Sequence, residues 1–297
     1  MKVIRETIEL PVKPHTLGWN GNQLVCFENG EQYYPEYDSY PTWRDMPERI
    51  GYSFGGQFDR AITSPDARYI LLYTNLGTKG LLLRSPNELI REVIETGEIV
   101  TMHQDRKPQD FFHSRLEVSP EGRYLISKGW VWHPIDMITF YTIEDCLKNP
   151  LLLDECVHIK TQDEEANEKE FGDDFEFSSA SFLNDQRLLV VTPGANSTLY
   201  WWDMNNSKVI RKLKTEDQLG DLLAIDERKA WDLFHHPKLI DLDKGKIEWQ
   251  EESINSGNQN SSIIHDLQLP PIAWNRKTSK LAIGGENKVE ILTLAND

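Results

Sequence analysis

A short turn recurs along this chain, and a repeat of that kind restricts the possible folds more than any other feature of the sequence. Ser64-Pro65-Asp66-Ala67-Arg68-Tyr69-Ile70 leads into the apolar residues 71–73, and Ser119-Pro120-Glu121-Gly122-Arg123-Tyr124-Leu125 repeats it closely. In each copy proline presets φ for a tight turn, an acidic residue follows, and aromatic and branched residues open a strand. Looser copies of strand, polar turn and strand centre on Asn20-Gly21-Asn22, Asn184-Asp185-Gln186, Asp226-Glu227-Arg228 and Asn275-Arg276-Lys277. Counted through the two chain ends, these six turns recur about every 50 residues, the period of propeller repeats.

A second apolar segment follows each turn and strand, as at residues 79–83, 137–141, 199–202, 239–242 and 289–292. A further strand follows at 209–213 and 247–250. Three to four antiparallel strands per unit is the pattern of a propeller blade. The expectation is therefore an all-β chain, residues 1–297, forming one β-propeller domain of about six blades. Seven blades is the alternative, with an irregular unit drawn from residues 33–54 or 84–110. The last unit is one strand short, and residues 3–10 alternate well enough to supply its outer strand. Such a strand would close the ring and leave no exposed edge.

The Ser-Pro-acidic-x-Arg-Tyr motifs at 64 and 119, with Trp201-Trp202-Asp203, resemble those of bacterial WD-repeat and related propeller proteins. The resemblance extends over most of residues 1–297, although the Gly-His pair of the usual WD repeat is missing. It implies a propeller and little about function, because propellers host both scaffolds and enzymes.

Composition narrows the partners. The net charge of −16 argues against nucleic acid, whose phosphates demand clustered Lys and Arg, and is compatible with a basic protein. No stretch approaches the roughly 18 apolar residues that span a membrane. Residues 1–10 carry charges throughout and no apolar core of a signal peptide, so a cytoplasmic, monomeric protein is expected. The three cysteines, Cys26, Cys146 and Cys156, are odd in number and form no CxxC pair, which favours reduced thiols.

No metal or cofactor is expected. The eight histidines include no HExxH or HxH motif, the chain has no P-loop or dinucleotide fingerprint, and the glycine-rich Gly51-Tyr52-Ser53-Phe54-Gly55-Gly56, although it has GxSxG spacing, follows no clear strand–helix pattern and reads as a loop. Two similar pieces carry the candidate residues. One is Gly129-Trp130-Val131-Trp132-His133-Pro134-Ile135-Asp136, and the other is Ala230-Trp231-Asp232-Leu233-Phe234-His235-His236-Pro237. Each lies between the second and third strands of its unit, so His133 and His236 are expected to rim one mouth of the central channel. The competing reading is that the aromatic residues pack the blades and His-Pro makes a turn. Trp130, Trp132, Trp201 and Trp231 are expected between blades.

Residues 33–54 are rich in Tyr and Pro, too Pro-rich for central strands, and read as a long loop over the same face. The candidate binding face therefore comprises Trp43, Tyr52, His113, His133, Asp136, His235 and His236. The acidic run over residues 163–176 reads as a solvated loop, with a dock for a basic partner as the alternative. The leading expectation for function is a non-enzymatic protein-interaction scaffold, one form of which would neutralise a basic toxin. The alternative is a propeller hydrolase or lyase in which His133, His235 or His236 acts as base, oriented by Asp136 or Asp232.

Overall fold

Two kinds of strand follow from the sequence. Strand β17 (Lys208–Lys214) exposes every second residue, whereas β16 (Thr198–Asp203) buries Leu199, Tyr200, Trp201 and Trp202 in succession. A strand with one packed face alternates, and a strand sandwiched between two sheets is apolar on both faces. Sheets stacked face to face are the result.

The structure, a computed structural model, describes residues 2–11, 13–14, 16–20, 23–27, 60–63, 70–73, 81–84, 89–93, 98–102, 111–112, 115–131, 135–149, 152, 155–159, 176–261 and 269–295. The chain is an all-β propeller. One blade has the order β14 (Ser179–Asn184), β15 (Arg187–Val191), β16, β17. The next runs β18 (Leu222–Ala224), β19 (Lys229–Asp232), β20 (Lys238–Asp241), β21 (Lys246–Gln250). A third has β22 (Ile272–Asn275), β23 (Lys280–Gly284) and β24 (Lys288–Ala295), with β1 (Lys2–Glu9) as its outer strand, antiparallel to β24 from Lys2↔Ala295 to Glu9↔Lys288. A fourth consists of β10 (Glu117–Val118), β11 (Tyr124–Val131), β12 (Ile135–Thr142) and β13 (Val157–His158), with β9 (Phe111–Phe112) also on β11 and helix α1 (Ile143–Lys148) after β12.

The blade count differs from expectation. Among the described residues, four blades are formed rather than six or seven. The first turn unit yields a two-stranded hairpin, β2 (Thr16–Asn20) and β3 (Gln23–Phe27), which no further described strand joins. The second unit yields a five-stranded meander, β4 (Arg60–Thr63), β5 (Ile70–Tyr73), β6 (Leu81–Arg84), β7 (Leu89–Val93) and β8 (Glu98–Met102). Residues 33–54, one proposed source of a seventh unit, lie outside the described residues, and of residues 84–110, the other, only 84, 89–93 and 98–102 are described.

The cores lie between blades. Ile126 and Ile138 meet Phe182 and Trp202. Leu189 and Trp201 meet Leu222 and Ile240. Trp231 and Leu239 meet Leu281 and Leu292. Leu17 of the hairpin packs on Ala282 and Val289. Each such aromatic or Leu side chain contributes about 1.5–3 kcal/mol through burial. Trp201 and Trp231 are buried as expected. Trp132 and the side chain of Trp130 lie outside the described set. The first strands meet at the centre, with β10 beside β14, β14 beside β18, β4 beside β10 and β2 beside β22.

The recurrent turns stitch the blades together. Ser119 Oγ accepts the N–H groups of Arg123 and Tyr124 and donates to Asp185 Oδ2, 3.0 Å away in the matching turn of the next blade. Asn184 Nδ2 of that turn donates to Glu227 in the turn after it. The Trp202-Asp203 pair works differently from a blade-spanning network. Asp203 Oδ1 accepts the N–H groups of Asn205 and Asn206 and Oδ2 accepts from the Asn206 side-chain amide, which first among these bonds holds the carboxyl below the usual range. Asp241 fills the same place in the next blade, accepting from Asp243 and Lys244. Among the described residues no helix is long and apolar enough to cross a membrane.

Candidate functional site at the centre and on one face

A charged network occupies the centre. Asp221, just before β18, accepts from Ser179 Oγ at 2.7 Å, Lys128 Nζ at 3.1 Å and Arg115 Nη1 at 3.2 Å. Burial pushes the Asp221 carboxyl up, but Lys128 and Arg115 more than offset this and hold it below the usual range. Glu117 Oε1, on β10, accepts from Ser181 Oγ, from the Phe182 N–H and from Arg276 Nη2, all at 3.0 Å. Ser179 and Ser181 also accept the N–H groups of Leu222 and Ala224 on β18. These side chains satisfy backbone donors on the first strands, which have no further strand on their inner side among the described residues. Arg276 and Glu117 belong to blades separated by two others, so their ion pair crosses the middle of the fold.

One face gathers the loops between second and third strands and the connections from blade to blade. His235 in the β19–β20 loop exchanges backbone hydrogen bonds with Ser256 and Gly257, in the connection from β21 to β22. Gly284, at the end of β23, donates to Pro271 O in the same connection, and Leu10, just after β1, donates to Asn287 O in the β23–β24 loop. The β21–β22 connection, the β23–β24 loop and the segment after β1 surround an open cleft of about 600 Å³ whose lining includes Lys13, Pro14, Ile254, Pro270, Pro271 and Glu286.

The expected histidine sites meet this geometry unequally. His235 is exposed, in a left-handed conformation at φ 67, with its ring centroid 3.9 Å from that of Phe234. His236 is half-buried, and its Nε2 is 3.5 Å from Gln250 Oε1. Neither is paired with Asp232, which is fully buried and takes hydrogen bonds from Lys238 Nζ at 2.9 Å and the Gly220 N–H at 2.7 Å. Lys238 Nζ also donates to Phe234 O. Burial raises the Asp232 carboxyl, and Lys238 acts against it. Asp136 is 1 % exposed inside its blade, its N–H bonded to Glu176 Oε1 and its carbonyl to the Phe177 N–H, so it does not stand at the rim. The His–carboxylate pairing that catalysis would require is thus not formed around Asp232, because the nearby lysine takes the carboxylate inward. Trp43, Tyr52, His113 and His133 lie outside the described residues, as do residues 163–174 of the acidic run.

Sequence reasoning missed both the central network and the cleft. Arg115, Lys128 and Asp221 lie up to 106 residues apart and share no motif. The cleft's signal was the Pro270-Pro271 pair before β22, whose distance from Pro14 in sequence concealed their convergence. Cys146 and Cys156 are buried thiols outside any disulfide, and burial pushes Cys146 up to about 12. Among the described residues no cluster of three or more His, Cys, Asp or Glu could hold a metal ion.

No protein-family model and no curated protein sequence matches the chain. Among solved structures, the Dos1 propeller is similar at 12 % identity and TM-score 0.42, over 81 % of this chain and 68 % of its own. A chain of the mitotic checkpoint complex is similar at 10 % identity and TM-score 0.42, over 78 % of this chain and 65 % of its own.

Proposed function

We propose that residues 1–297 act as one propeller domain and a non-enzymatic scaffold that binds a basic protein partner. The binding surface is the face bearing the His235–His236 loop and the blade-to-blade connections. One observation carries the reading: three connecting segments are hydrogen-bonded to one another around an open, proline-walled cleft on that face. Loops supported in this way can carry binding groups without disturbing the strand ladders. A net charge of −16 favours and steers a cationic partner. The β1–β24 seam, in this reading, closes the propeller and keeps the face in one piece.

Crosslinking in the host cell through lysines tests the assignment. Lys13 and Lys288 line the cleft, whereas Lys208 opens β17 and Lys244 and Lys277 lie in turns, all at the opposite end of the blades. Crosslinks to a basic protein from Lys13 and Lys288 are expected. Crosslinks confined to Lys208, Lys244 and Lys277 would place the partner on the wrong face and overturn the reading.

A further inference from the structure

We infer that the cleft seats a lysine or arginine side chain from an extended basic segment of the partner, an inference that rests on the scaffold reading above. Its walls are rigid. A Cβ added at Gly284 would lie 2.5 Å from Pro271 Cγ and 3.0 Å from Pro14 Cγ, so the glycine lets both prolines close onto the end of β23. Ring-locked proline walls lose little freedom when a side chain lies against them, so the cleft is preorganised.

The chain's own lysines display what the cleft accepts. Lys13 runs along it and brings Nζ to 3.5 Å from Glu286 Oε2, and Lys288 brings Nζ to 2.8 Å from Glu290 Oε1. An aliphatic stem on apolar walls with the ammonium held at a carboxylate in water is the ordinary behaviour of a long cationic side chain at a surface. The two pairs differ in availability. The Glu290 side chain is 3 % exposed and also engaged by Arg5 and Thr7, so it is closed to a ligand. The Glu286 side chain is 83 % exposed and its partner Lys13 55 % exposed. Exposed pairs of this kind contribute little, and an incoming cation exchanges with Lys13 readily. Glu286 is therefore the anionic anchor, and Lys13 is an internal competitor for it.

Fluorescence anisotropy with a labelled dodecapeptide of alternating Lys and Ala provides the test, with a norleucine–alanine peptide as the uncharged probe. Glu121 is the matched control: another exposed, ion-paired carboxylate, in the Ser119 turn at the opposite end of its blade. Glu286→Gln is expected to weaken the lysine peptide about fivefold and Lys13→Gln to tighten it about threefold, while Glu121→Gln changes it less than about 1.5-fold. Unchanged melting temperatures establish that all three variants are folded. Equal effects of Glu286→Gln and Glu121→Gln would reduce the binding to the field of the whole molecule and overturn the seat. So would failure of Lys13→Gln to tighten, equal binding of the norleucine peptide, or no binding at all. Crosslinks from Lys13 and Lys288 alongside such a result would leave the scaffold reading standing and remove only the seat.

Discussion

At the scale of single residues, His235 combines an exposed ring with a backbone that L-residues seldom adopt, at φ 67. Bonds to Ser256 and Gly257 hold it there. Left-handed backbone costs a residue with a Cβ about 1–2 kcal/mol, and a β-branched one more. His235→Gly is therefore expected to melt at or slightly above the wild-type temperature, and His235→Val to lose about 1–2 kcal/mol in urea unfolding. A Gly variant as unstable as the Val variant would show that the imidazole contact with Phe234, not the backbone, governs this loop. Asp221 is the other residue with a sharp expectation. Asp221→Ala would leave Lys128 and Arg115 in the interior without that carboxylate, and truncating one member of a buried ionic group costs about 3–5 kcal/mol. Urea unfolding of the variant measures this, and a loss under about 1 kcal/mol would mean that the centre is hydrated enough to screen both cations.

At the scale of elements, the β1–β24 pair is the seam between the two ends of the described chain. Glu290 on β24 accepts from Arg5 Nε and Nη2, both at 2.9 Å, and from Thr7 Oγ1 at 2.8 Å, all on β1. Arg5 above all, against the effect of burial, lowers the Glu290 carboxyl from 4.5 to about 2. A carboxylate more acidic in the folded state stabilises that state above its unfolded pKa and ceases to do so as pH falls through the folded value. Stability from this seam is thus complete above about pH 4.5 and lost progressively toward pH 2. Hydrogen exchange at β1 amides should accelerate across that window in wild type. In Glu290→Gln it should be faster at neutral pH and change less on acidification. A pH profile in the variant as steep as in wild type would assign the effect to other carboxylates.

At the scale of the whole molecule, the blades are joined by three devices: apolar cores between sheets, turn-to-turn bonds such as Ser119–Asp185, and the central network ending in Arg276–Glu117. What the sequence by itself determined is the class of fold and its punctuation. The Ser119-Pro120-Glu121-Gly122 turn, the apolar run through Trp201 and Trp202, and the alternation in residues 3–10 were all legible. Turn chemistry and strand period are local properties, set by neighbouring residues. Blade number was not legible, since a turn followed by two strands reads alike whether it becomes a four-stranded blade, the β2–β3 hairpin or the five-stranded meander. Asp232 and Asp136 read as rim carboxylates beside histidines. Tertiary packing buried the second and turned the first toward Lys238 and the Gly220 N–H, because an interior carboxylate gains most from a cation and N–H donors that replace its lost water. The central ion pairs and the proline-walled cleft were likewise decided only by tertiary structure. Their members, from Pro14 to Pro271 and from Arg115 to Arg276, are brought together by the stacking of blades, a long-range event that no local pattern in the chain encodes.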